Sequence, residues 1–127
     1  MEELTKAEER IMQIFWKLKS AFVKDIIAEL EEDPKPPYNT ISSIVRILEK
    51  KGYLGYKAYG KTYEYFPIIS KGEYRKTFFK KMISGYFDNS VENLLSFMVK
   101  EQKLSDDELK KIKEIIDKNS DGNTAND

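Results

Sequence analysis

The sequence predicts a mainly α-helical fold that carries one small β-ribbon. Three observations lead there. Apolar residues recur at helical spacing in several separate stretches. Hydroxyl residues followed three positions later by a carboxylate open three of those stretches. Between them lies "YLGYKAYGKTYEYFP", which alternates at strand spacing on either side of a glycine turn.

The first helix opens at the capping box Thr5-Lys6-Ala7-Glu8 and runs from about Lys6 to Leu18. Its buried stripe is Ala7, Ile11, Ile14, Phe15 and Leu18, and Trp16 packs at the edge of the core. A shorter helix from about Val23 to Glu31 buries Val23, Ile26, Ile27 and Leu30. The prolines of "EEDPKPPYN" end it, because they cannot continue a helix and favour extended backbone.

The third helix begins at Tyr38 or Asn39 and runs to about Lys51, with Gly52 placed where a left-handed C-cap costs least. Ile41, Ile44, Val45 and Leu48 form its core stripe. On the opposite side lie Asn39, Ser43, Arg46 and Lys50, with Ser42 at the flank and Ile47 leaning toward them. A solvated helix face normally carries long side chains that favour helix. Asn39, Thr40, Ser42 and Ser43 instead cost intrinsic propensity, so the face requires another reason.

Two strands follow around a turn at Tyr59-Gly60-Lys61, and Pro67 stops the second. Packing accounts for most of Tyr53, Tyr56, Tyr59, Tyr63 and Tyr65, since aromatics suit strands. Ser70-Lys71-Gly72-Glu73 opens a helix to about Ser84, and Ser90 caps another through about Glu101. Ser105-Asp106-Asp107-Glu108 caps a last one. The polar run "NSDGNTAND" reads as a disordered tail.

Three short helices and a two-stranded ribbon make the element order of a winged helix-turn-helix, with further helices after it. The expected division is a winged-helix domain over residues 1–69, a helical dimerisation region over 70–118 and the tail over 119–127. In such an architecture the helix before the ribbon enters the DNA major groove. There Asn pairs with adenine and Arg with guanine through two hydrogen bonds each. Lys57, Gly60 and Lys61 on the ribbon would reach flanking phosphates or the minor groove. The later helices are amphipathic and too few to close their own core, so Phe79, Ile83, Leu94, Leu95, Met98, Leu109, Ile112 and Ile116 would meet a second copy of the chain.

Charge agrees with this reading. The chain of 127 residues has zero formal net charge, yet residues 34–82 hold 11 basic and 3 acidic side chains, while the segments on either side are acidic. With no Cys and no His, disulfides, thiolate metal sites and the commonest general base are excluded. No Gly-rich phosphate loop or activated Ser is present, so neither an enzyme nor a cofactor or metal is implied. No stretch reaches the roughly 20 apolar residues of a spanning helix, and the acidic N-terminus is unlike a signal peptide. A cytoplasmic location without membrane insertion is expected. Two other readings stay open: a protein-interaction module docking through the aromatic ribbon, and a ligand-sensing regulator with a pocket between the two regions.

"LTKAEERIMQIFW", "NTISSIVRILEKKGYLGYKAYGKTYEYFP" and "LLSFMVKEQKLSDDELKKIKEII" resemble, in order and spacing over roughly residues 4 to 118, the penicillinase and methicillin-resistance repressors of the BlaI/MecI type. The resemblance implies a dimeric winged-helix repressor on a palindromic operator. It also implies derepression by cleavage in the dimerisation helices, triggered by a membrane metalloprotease sensor. Thr40 matches the family's helix Thr, and Lys50-Lys51-Gly52 its helix end. The family's Arg-Thr pair is here Ser42-Ser43, with Arg46 one turn on as a replacement. The Asn-Phe cleavage bond falls on Phe97-Met98 without a gap, or on Ser96-Phe97 after a shift of one residue. The Cys-rich metal tail of the related copper-responsive repressors has no counterpart.

Overall fold

The computed structural model describes residues 1–101 and 104–122, with side chains through 118. Its elements are α1 (Lys6–Leu18), α2 (Val23–Glu29), α3 (Tyr38–Lys50), β1 (Leu54–Tyr59), β2 (Thr62–Pro67), α4 (Lys71–Tyr86), α5 (Val91–Glu101) and α6 (Asp106–Gly122). The expected class holds: a winged helix-turn-helix followed by further helices. The chain divides into two compact units, the first Met1–Thr77 and the second starting at Phe78.

In the first unit, α1, α2 and α3 pack around Ile11, Met12, Phe15, Ile26, Val45 and Leu48, and the ribbon closes this core with Tyr53, Leu54 and Tyr65. Met12 is fully buried and Ala7 exposed, the reverse of the stripe read from the sequence. Met12 sits one position after Ile11, and its long unbranched side chain can fill a gap beside the stripe that Ala7 is too short to reach. Leu30 is buried as expected, but α2 ends at Glu29. The Lys35 ammonium, arriving after the prolines, donates to the carbonyls of Ile27, Ala28 and Leu30 and satisfies that helix end.

All three predicted capping boxes form. Thr5 Oγ1 accepts from the Glu8 N–H at 3.1 Å while Glu8 Oε1 accepts from the Thr5 N–H at 3.0 Å. Ser70 with Glu73 and Ser105 with Glu108 repeat the arrangement. Ser90 Oγ accepts from the Asn93 N–H at the start of α5.

The exit from α3 aims the ribbon. Gly52, at φ +86°, donates to the Glu49 carbonyl, and Tyr53 donates to that of Leu48. This pair of bonds is a Schellman cap, and its usual apolar contact is supplied by Leu48 and Tyr53, both without exposed surface. β1 and β2 are antiparallel, Leu54 opposite Pro67 through Tyr59 opposite Thr62. Residues Gly60 and Lys61 alone form the loop, and Gly60 at φ +62° supplies the positive dihedral that a type II′ hairpin needs first. On its other side β2 bridges to Ala21, whose N–H and C=O both bond Tyr65.

The start of α4 belongs to the first unit. Tyr74 packs tilted against Trp16 and edge-on against Tyr53, with ring centroids 5.6 and 5.9 Å away, and donates its hydroxyl to Glu9 at 2.9 Å. Burial, then that carboxylate, push the Tyr74 phenol well above its ordinary pKa. The Trp16 indole N–H bonds the Ile69 carbonyl. These contacts carry the first unit to Thr77, past the division expected at residue 69.

In the second unit Ile83 is the one buried side chain among the described residues. Asp88 and Asn89 take positive φ in the turn before α5, and Phe87 meets Phe97 edge-on at 5.6 Å. α6 continues as helix to Gly122, past residue 118 where a tail was expected to begin. Its last turn is completed by backbone hydrogen bonding, which requires no apolar side chain. The rest of that tail, residues 123–127, lies outside the described residues.

Candidate nucleic-acid interface

Because Ile41, Val45 and Leu48 bind α3 to the core, its opposite face is held outward. Asn39, Thr40, Ser43, Arg46 and Lys50 are all exposed, and Ser42 is half-buried at the edge. Ile47 stands among them at 42% exposure. Lys57, Gly60 and Lys61 are exposed on the ribbon, and Lys57 Nζ sits 5.4 Å from the Tyr59 ring centroid. Among the described residues, no ion pair engages Arg46, Lys50, Lys57 or Lys61.

Two cations counted in the basic segment are engaged by groups of the protein itself. Lys51 pairs with the buried Glu8 at 2.6 Å, and Lys35 caps α2. Burial of Glu8 alone would raise its pKa. The Lys51 ammonium and the Thr5 N–H and hydroxyl outweigh that and hold the carboxyl below its usual value.

The tyrosines split. Tyr53 and Tyr65 are core residues, as packing predicts, whereas Tyr56, Tyr59 and Tyr63 are 43%, 47% and 41% exposed. Tyr56 and Tyr63 stack with centroids 4.3 Å apart and planes 15° from parallel. Burial pushes the Tyr65 phenol up, Glu49 adds to this, and Arg46 opposes it.

A cleft of about 250 Å³ lies between the start of α2, the start of α3 and the ribbon, lined by Phe22, Val23, Lys24, Tyr38, Thr62 and Tyr63. Sequence reasoning did not find this group. The hairpin register brings Thr62 and Tyr63 to it, and Lys24 lies in a segment whose net charge is acidic.

Of the residues expected at a subunit contact, Phe79, Leu109 and Ile116 are exposed, at 43%, 38% and 52%, and Leu94, Leu95, Met98 and Ile112 are half-buried. Ile83, also expected there, is 6% exposed within the single chain. Ser96 and Phe97 are exposed on helical backbone beside the half-buried Met98. No group of acidic, His or Cys side chains among the described residues is arranged to hold a metal ion, and no helix there is long and apolar enough to cross a membrane.

A helix-turn-helix with an outward polar helix and a basic ribbon defines the class: a winged-helix transcriptional regulator. The family model described as penicillinase repressor matches residues 4–118, and the chain belongs to that family. It is 30% identical over 120 residues to the methicillin resistance regulatory protein MecI of Staphylococcus aureus (strain N315), covering 91% of this chain and 94% of that one. With the penicillinase repressor of Bacillus licheniformis it shares 22% identity over 115 residues, covering 91% and 90%. Among solved structures, the DNA binding domain of the repressor BlaI matches 58% of this chain and 94% of its own, with 28% identity and a TM-score of 0.49.

Proposed function

We propose that this repressor-family chain binds a palindromic double-stranded DNA operator as a homodimer and silences the promoter beneath it. α3 enters the major groove. There Asn39, Ser43 and Arg46 address base edges, and Thr40, Ser42 and Lys50 address the backbone or neighbouring edges. Lys57 and Lys61 meet flanking phosphates, and Gly60 lets the ribbon tip come close. The carrying observation is the outward strip Asn39, Ser43, Arg46 and Lys50, exposed and without an internal ion pair among the described residues. Membership of the penicillinase-repressor family supports the reading.

Dimerisation runs through α4 to α6. Phe78, Phe79, Val91, Val99, Leu109 and Ile115 are exposed there while one described side chain is buried, so a partner surface offers the burial the unit lacks. Derepression follows cleavage in α5 near Ser96, Phe97 and Met98 by a membrane metalloprotease sensor, in the cytoplasm. A protease needs extended backbone, and α5, with no buried residue, opens at low cost.

The experiment is selection of bound sequences from a random duplex pool by the full chain, followed by sedimentation of the complex. Inverted half-sites and two chains per duplex are expected. Absence of any selected sequence, together with a monomer at micromolar concentration, contradicts the proposal.

A further inference from the structure

Ile47 is the one aliphatic side chain that α3 leaves largely exposed. It takes no part in the hydrophobic core, whereas its neighbour Ile44 packs against it. A β-branched residue at an exposed helical position lowers helix propensity, so the fold gains nothing from it there. Its position is specific: one turn after Ser43, three residues before Lys50 and directly after Arg46, at the edge of the outward strip. Among the groups that base pairs display in the major groove, the thymine 5-methyl is the apolar one.

We infer that Ile47 is a specificity-determining residue that packs against the 5-methyl group of a thymine in each operator half-site. The inference rests on α3 entering the major groove and adds a base identity that the polar residues do not supply. Ser43, without a long side chain, leaves space beside Ile47 for the methyl group. Arg46 and Lys50, which lie on the Ser43 side of Ile47 around the helix, hold that helix to a neighbouring base or phosphate.

The test replaces each thymine of the selected operator by deoxyuridine, one at a time, and measures affinity of the full chain and of Ile47→Ala and Ile47→Val. At one thymine per half-site the wild type should lose about fourfold on removal of the methyl group, the change expected for burying one such group. Ile47→Ala should show no further loss on uracil at that position, and Ile47→Val should keep part of the discrimination. A methyl effect acting through DNA shape would weaken wild type and Ile47→Ala equally, and that result overturns the inference. So does wild-type binding that is indifferent to uracil everywhere, while leaving the repressor reading intact. Failure of the wild type to bind any duplex removes both.

Discussion

Lys51 Nζ lies 2.6 Å from Glu8 Oε1, joining the residue after α3 to the first turn of α1. The same carboxylate oxygen caps α1 through the Thr5 N–H, and the Lys51 ammonium also reaches the Glu3 carbonyl at 3.1 Å. One buried acid therefore fixes both the start of α1 and the end of α3. Glu8→Gln keeps a capping group and removes the charge, so it should destabilise the first unit by about 1–3 kcal/mol in urea unfolding at neutral pH.

The pH dependence of that difference has a defined sign. The folded-state pKa of Glu8 is depressed, so its contribution is fully present above the unfolded carboxylate value and is lost as pH falls through the folded one. Urea titrations of wild type and Glu8→Gln from neutral to acidic pH should converge at the acid end. A gap that stays constant would show that the ion pair is not its source.

Gly60→Val places a β-branched side chain at φ +62°. Left-handed backbone costs such a residue about 1–2 kcal/mol, and the hairpin should fray or change its turn. Amide exchange of the β1–β2 bonds should accelerate while protection of α1 and α3 is kept. Duplex affinity should fall at the same time, since the ribbon tip that presents Lys61 is no longer fixed.

Leu109→Asp puts a charge on an exposed apolar position of α6. The first unit should keep its melting temperature while sedimentation shifts from dimer to monomer. Operator affinity should drop by about 100-fold or more, because two half-sites are then no longer linked. An unchanged dimer would move the subunit contact away from α6.

Much of this architecture was legible because its signals are local. The capping boxes at Thr5, Ser70 and Ser105 and the left-handed Gly52 follow from a few adjacent residues, and all form as read. The outward face of α3 follows from helical period alone. What escaped the sequence depends on distant partners. Glu8 reads as a helix cap, and nothing in its neighbourhood announces Lys51, 43 positions on. Lys35 reads as an unengaged charge until the chain folds it back onto the carbonyls of α2. The cleft at Lys24 and Tyr38 depends on hairpin register, and the burial of Ile83 depends on neighbours in its own chain.

The central claim, that the outward face of α3 reads DNA, is tested most directly by comparing Arg46→Ala and Lys61→Ala on the selected operator and on unrelated duplex across a salt series. Arg46→Ala should cost about 1–3 kcal/mol on the operator and relax one base position, with little change on unrelated DNA. Lys61→Ala should weaken both duplexes alike and lower the salt slope by about one. Both variants binding the operator with wild-type affinity and salt dependence would contradict the account.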